Sequence, residues 1–237
     1  MKPSREARFD GSFEGFRDEA RALLTKGVAP EGIVWVAEDD PQDTIPGLLA
    51  AVSHPPPPPA GAHGTPHVPR ALLALAERAS CHRDPQRFAL LYRVLWRVLH
   101  EEHDLLARHD DEDVAQLHAL ERAVMREVAH LDRHLAFHTE SRTHGEHWVA
   151  YARPHHHVAR LLAPRLVERF RGQTWSVLMP HESLHGDRQG VHFGPGVPED
   201  LFDAAPSVAE GAPEPAKPLE PAKPLEAAKP LEAPKPR

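Results

Sequence analysis

The sequence predicts an α+β fold: three to four helices form the core, with a small, mostly antiparallel sheet and a disordered Pro-rich C-terminal tail. Three observations predict it. Apolar residues recur at helical spacing through several long stretches. Short apolar runs bounded by turn residues follow them, and these read as strands. From Ala204 onward apolar periodicity disappears altogether.

In order along the chain, Phe13, Phe16, Ala20, Leu23 and Leu24 share one helical face, and Gly27 supplies the stop. Ile33-Val34-Trp35-Val36 reads as a short buried strand that adds an edge to the sheet. Five prolines, Pro55 to Pro59, lie in a stretch over 53–67 that reads as an exposed linker, because proline lacks the backbone donor that helices and ladders need. A helix is expected over Arg70 to Ala79. Asp84 can cap the next one and Pro85 suits its first turn. The run Phe88 to Leu99 is apolar round most of its circumference, as a central core helix should be. A third long helix is expected from Glu112 to His138, striped by Val114, Leu117, Leu120, Val124, Val128, Leu131 and Leu135. Strands are then expected at His147 to Tyr151, Trp175 to Met179 and Val191 to Phe193, with a helix over Ala159 to Phe170 and a turn at Gly194-Pro-Gly196. The expected core gathers around Leu91, Leu95 and Leu131.

The domain expected from this pattern spans 1–202, and the expected disordered tail over 203–237 carries Pro-Ala-Lys-Pro-Leu-Glu twice and then Ala-Ala-Lys-Pro-Leu-Glu. At 237 residues and 41% apolar, the chain has enough material for one packed domain plus a tail. Its one cysteine, Cys81, excludes an internal disulfide and fits a reducing cytoplasm. No leader and no membrane span are expected. The net charge is −7, of which the tail carries −1, so the body is acidic and any nucleic-acid contact must be a local patch.

The segment Cys81-His-Arg-Asp-Pro-Gln-Arg-Phe-Ala-Leu-Leu-Tyr-Arg-Val-Leu-Trp-Arg97 resembles a bacterial family, a domain of unknown function assigned to DNA repair or DNA metabolism. The stretches Phe13 to Trp35, Ala123 to Phe137, Trp148 to His156 and Trp175 to Gly196 extend the likeness in the same order. The resemblance implies a module that stands alone or precedes a uracil-DNA glycosylase-like domain that binds uracil in DNA, and a radical S-adenosylmethionine protein as companion. No Gly-Glu-x-Pro-Gly segment is present, so this chain is not expected to excise uracil itself. Two departures stand out: Ala129 replaces a histidine of the family's pattern, and Gly186 replaces the tryptophan of a His-Trp-Asp.

Five constellations could carry chemistry. Arg87, Arg93 and Arg97 fall within roughly a 120° arc of their helix, and Arg122, Arg126 and Arg133 within roughly 40° of theirs. Guanidinium forks suit phosphate, so two such stripes could grip a DNA backbone. The plainer reading pairs them with Glu101, Asp104 or Glu127 on a solvated face. Glu127, His130, His134 and His138 recur at helical spacing, where two histidines can share a metal, or simply face solvent. His181-Glu-Ser-Leu-His185 matches the zinc-peptidase letters, but that chemistry needs a helix, and Pro180, Gly186 and flanking strands argue against one. His155-His156-His157 cannot share one face, and His156 is the member that matches the family's pattern. Cys81 beside His82 reads as a small buried residue rather than a nucleophile.

The first functional expectation is an accessory DNA-metabolism module acting with a separate enzyme, with DNA contacted by His82, Arg83, Arg87, Arg93, Arg97, Arg122, Arg126, Arg133 and His156. No cofactor and no bound metal are expected. The alternatives are a metal-dependent enzyme built on the histidine-rich segments, and a protein-interaction adaptor with the proline run and tail as flexible arms.

Overall fold

The computed structural model describes residues 5–38, 68–100, 102–142, 145–198 and 200–203. The expected proline linker at 53–67 and the repeat tail beyond residue 203 lie outside the described residues. The chain divides into two units, 1–205 and 206–237, and everything described below belongs to the first.

The fold is α+β, with strands β1 (Arg5–Phe9) and β2 (Ile33–Ala37) flanking helix α1 (Phe13–Thr25). Helices α2 (Arg70–Ser80), α3 (Arg87–His100) and α4 (Glu112–His134) follow. Next come β3 (His138–Arg142), β4 (Gly145–Tyr151), α5 (Ala159–Arg169), β5 (Thr174–Leu178), β6 (Glu182–Gly186), β7 (Val191–Pro195) and the short α6 (Asp200–Asp203). Five long helices are thus described, one at each stretch where apolar spacing predicted a helix.

The later strands make one five-stranded sheet in the order β3-β4-β5-β6-β7. Only the β4–β5 pair is parallel. A parallel neighbour needs a crossover, and α5 is the helix that connects the two strands. The strand at Ile33–Ala37 does not edge this sheet. It pairs in parallel with β1 to form a separate two-stranded sheet. The reason lies in β1, whose alternation buries Ala7 and Phe9 and sets Arg5, Glu6 and Arg8 outward. Nor is β2 fully buried, since Val34 is 47% exposed.

Three hydrophobic clusters hold the unit together. The first joins β1, α1, α2, α3 and the start of α4, and contains Leu91, with Leu95 packed on it. A second lies between the five-stranded sheet and α5, and the third gathers Val124, Val128 and Val158. Leu131 touches the second and third clusters, not the first, so the single core expected around Leu91, Leu95 and Leu131 is in fact divided. α4 is the spine that serves all three: Val114, Leu117 and Leu120 at one end, Val124 and Val128 in the middle, Leu131 at the other.

Two expected boundaries move. α4 stops at His134 instead of His138, because Leu135 turns to ψ 117° and buries itself beside the sheet. The expected turn at Gly194-Pro-Gly196 also shifts, since β7 stays extended through Pro195. Gly196 then passes so close to the Pro180 carbonyl that a Cβ would come within 1.8 Å of its oxygen, so only glycine fits. No helix among the described residues is long and apolar enough to cross a membrane.

Candidate nucleic-acid interface

The turn between α2 and α3 is built from Cys81 to Gln86. Asp84 works as expected at the start of the next helix: its carboxylate accepts from the Gln86 amide at 2.8 Å. Arg87 braces the same turn from inside. Its Nε donates to the Ser80 carbonyl at 2.8 Å and one Nη to the Asp84 carbonyl at 3.0 Å. The side chain lies over the Phe88 ring, and the residue is only 5% exposed. A guanidinium enclosed in this way does not reach phosphate, so Arg87 leaves the expected DNA-contacting set as a structural brace.

A second segment closes onto this turn. The His157 amide donates to the Cys81 carbonyl at 2.8 Å. The Arg83 amide donates to His156 Nδ1 at 3.3 Å, and the Asp84 amide to His82 Nδ1 at 3.0 Å. The two imidazoles lie against each other, with centroids 4.3 Å apart and 32° between planes. Burial pushes both below the usual histidine range, and His156 is lowered further by its neighbour His82. Glu127 of α4 fixes the segment from the other side. Its two carboxylate oxygens accept from the amides of His155 at 2.7 Å and His156 at 2.9 Å. Three segments far apart in sequence are thereby tied into one small site.

Cys81 packs against the Val124, Val128 and Val158 cluster. Its Sγ donates to the Glu77 carbonyl, and burial pushes its thiol up to about 11. A thiol held protonated is no nucleophile, which matches the reading as a packing residue.

The remaining arginines divide sharply. Arg97 makes five hydrogen bonds to Glu102, Asp111 and Asp113, between 2.7 and 3.2 Å. Arg93 donates to Asp113 at 2.9 Å. Glu101 lies outside the described residues, and these partners are not the Asp104 or Glu127 that sequence spacing offered. They sit where the chain folds back into the start of α4, and Asp111 is also that helix's N-cap, accepting from the Val114 amide. With Arg87 bonded to carbonyls and Arg93 and Arg97 to carboxylates, the α3 stripe does not form the expected phosphate grip. Arg122, Arg126 and Arg133 are exposed on α4, and none is paired with a carboxylate among the described residues. Arg133 only donates back to the Ala129 carbonyl of its own helix, at 3.0 Å. Arg83 is likewise exposed.

The histidine motifs part company in the fold. His130 and His134 are neighbours on α4, at 4.6 Å between centroids, but His138 starts β3 and stacks on Tyr151. The His181–His185 stretch is mostly strand β6, so its two histidines are separated along extended chain, and burial raises the Glu182 carboxyl. Among the described residues, no group of three or more His, Cys, Asp or Glu is placed to hold a metal ion.

One constellation escaped the sequence reading. Ser176, 5% exposed in β5, hydrogen-bonds both His147 Nε2 and His185 Nδ1 at 2.8 Å. The row crosses three strands, and only the register Ser176↔His185 shows it. Glu127 was singled out as a metal ligand or arginine partner, but its actual role was not foreseen. Its partners are backbone amides 28 and 29 residues on, which no local spacing reveals.

Residues 85–207, more than half of the chain, match DUF4130, a domain of unknown function. No curated protein and no solved structure matches the chain significantly. His82 and Arg83 precede the matched stretch, while the α4 arginines, Glu127 and His156 lie within it.

Proposed function

The chain belongs to the DUF4130 family, and from that premise we propose that it is an accessory module of DNA metabolism that contacts the nucleic-acid backbone and acts beside a partner enzyme. One observation carries the contact: Arg122, Arg126 and Arg133 share an exposed face of α4 with no carboxylate among the described residues to neutralise them. Arginine forks present several N–H donors to phosphate oxygens and remain charged at every physiological pH. The acids adjacent to the stripe in sequence are engaged elsewhere: Glu121 by Arg78, Glu127 by two backbone amides and Asp132 by Arg165. The kind of nucleic acid and the partner come from the family resemblance, with a glycosylase-like or radical S-adenosylmethionine protein as the enzyme.

The body as a whole is acidic. Binding is therefore local, salt-sensitive and of the nonspecific class, with a Kd around 10⁻⁴–10⁻⁶ M at physiological salt. Titration of labelled single- and double-stranded oligonucleotides tests the reading. The triple variant Arg122→Ala, Arg126→Ala, Arg133→Ala should bind each at least about tenfold more weakly at low salt, since every phosphate left without its guanidinium weakens binding. Equal affinity of variant and parent would remove the proposal.

A further inference from the structure

The paired imidazoles carry information that the arginines do not. In each ring Nδ1 is the acceptor of a backbone N–H, from Arg83 for His156 and from Asp84 for His82. A neutral imidazole has one protonated nitrogen, so engaging Nδ1 as acceptor places the proton on Nε2. The two rings accept from neighbouring amides, one each, and lie 32° from parallel with centroids 4.3 Å apart. Each ring therefore carries its Nε2–H on the edge turned away from the amide it accepts from.

The surroundings keep the rings neutral without consuming those donors. Burial is the main influence, with Arg83, Arg87 and His155 adding positive charge and Asp84 and Glu127 opposing it. Both acids are turned to backbone amides: Asp84 to Gln86, and Glu127 to His155 and His156. Arg83 is exposed, and its own amide is bonded to one of the rings, so its guanidinium springs from the same spot.

We propose that His82, His156 and Arg83 form a receptor for a phosphate monoester group, with two fixed Nε2–H donors and one guanidinium fork meeting its three terminal oxygens. A terminal phosphate has one more oxygen to satisfy than a bridging diester offers, and that matches a three-armed set of donors. The inference deepens the nucleic-acid reading by naming a phosphorylated strand end as the preferred feature, and in that respect it rests on it.

The test has two arms. In the first, the full ¹⁵N-labelled chain is titrated with inorganic phosphate while long-range ¹H–¹⁵N spectra follow the imidazole nitrogens. The expected result is Nε2-protonated tautomers for His82 and His156, with saturable shifts in both. In the second, oligonucleotides of one sequence bearing a 5′-phosphate, a 3′-phosphate or hydroxyl ends are compared. A phosphorylated end should bind about tenfold tighter, the value of one charge-assisted hydrogen bond. Arg83→Ala and His156→Phe should abolish that preference, and His156→Gln, which restores a donor near the Nε2 position, should keep part of it. Arg83 is exposed, so its variant keeps the test valid if His156→Phe does not fold. Nδ1-protonated tautomers, phosphate-insensitive imidazoles, or equal affinity for all three oligonucleotides would each overturn the receptor. If DNA still binds and still depends on the α4 arginines, only the receptor fails. If phosphate shifts the imidazoles but no oligonucleotide binds, the α4 reading fails and the receptor stands for small phosphate esters.

Discussion

α3 and α4 pack against each other and each carries three arginines at helical spacing, yet the two sets behave as different materials. On α3, Arg87 is enclosed and bonded to two carbonyls, and Arg93 and Arg97 meet Asp113, Asp111 and Glu102. On α4, Arg122, Arg126 and Arg133 meet solvent. Spacing alone does not separate them. What differs is the chain that returns past each helix: an acidic stretch, Glu102 to Asp113, folds back along the end of α3. The acids next to the α4 stripe are turned to other partners, Glu121 to Arg78, Glu127 to the 155–156 backbone and Asp132 to Arg165. An arginine becomes part of the fold or part of the surface according to what tertiary structure places opposite it.

The largest stability effect should come from Arg87→Ala. Two carbonyls lose their charged donor inside the protein and a cavity opens beside Phe88. A loss of about 3 kcal/mol is expected from the unsatisfied buried acceptors and the void together. Urea denaturation measures it. A change under about 1 kcal/mol would mean that Arg87 does not brace the turn, and the contrast between the helices would lose its strongest member.

Arg97→Ala comes next. Its side chain is 20% exposed, and Asp111 and Asp113 are 9% and 17% exposed, so the cluster is partly shielded from solvent. About 2 kcal/mol is expected, between a surface pair and a fully buried one. The loss should depend on pH in a definite direction. The Arg97 guanidinium holds the Asp111 carboxyl below the usual carboxylate range. A folded-state value below the unfolded one, about 3.9, adds stability above that pH and loses it as pH falls through the folded value. Parent and variant should therefore converge below about pH 4, and a constant gap from pH 7 to pH 3 would show that the ion pairs are not its source.

These contrasts explain what could be read in the chain beforehand. The helices were legible because burial repeats along them: Phe16, Ala20 and Leu23 on α1, and Val114 through Val128 on α4. β4, β5 and β7 were legible as apolar runs. β1, β3 and β6 were not. β1 reads Arg-Glu-Ala-Arg-Phe, three charged residues with only Ala7 and Phe9 to mark a face, and β3 reads His-Thr-Glu-Ser-Arg, a polar edge strand with no apolar face to detect. β6 was obscured by a histidine spacing that suits a helix. Within the site, His82, Arg83 and His156 were singled out from the residues of the family's pattern, but their contact spans more than seventy positions, and no local period encodes it. Arg87 was misplaced for a related reason, since helical angle says nothing about which arc faces the protein.

Glu127→Gln probes the boundary between the two materials. The amide keeps one acceptor oxygen, so one of the His155 and His156 amides is left without a partner, at a cost of about 1 kcal/mol. Removing the negative charge also takes away an influence that raises His156. The His156 titration midpoint, followed by NMR, should move down. An upward movement would mean that freeing the segment exposes the ring to water, and that Glu127 acts through burial and not through charge.

The smallest stability effect belongs to the α4 set, and the absence of an effect is what makes it informative. Changing Arg122, Arg126 and Arg133 to alanine removes exposed side chains from a helix that alanine favours, so unfolding should stay within about 0.5 kcal/mol of the parent. The same variant should flatten the dependence of DNA affinity on salt. The slope of log K against log[salt] should fall by up to about 3, near one unit for each phosphate no longer neutralised. Arg93→Ala, which removes an arginine already occupied by Asp113, should leave that slope unchanged. If Arg93→Ala flattened the slope as much as an α4 substitution, the ion pairs of α3 would open to DNA, and the division between structural and surface arginines would not survive in solution.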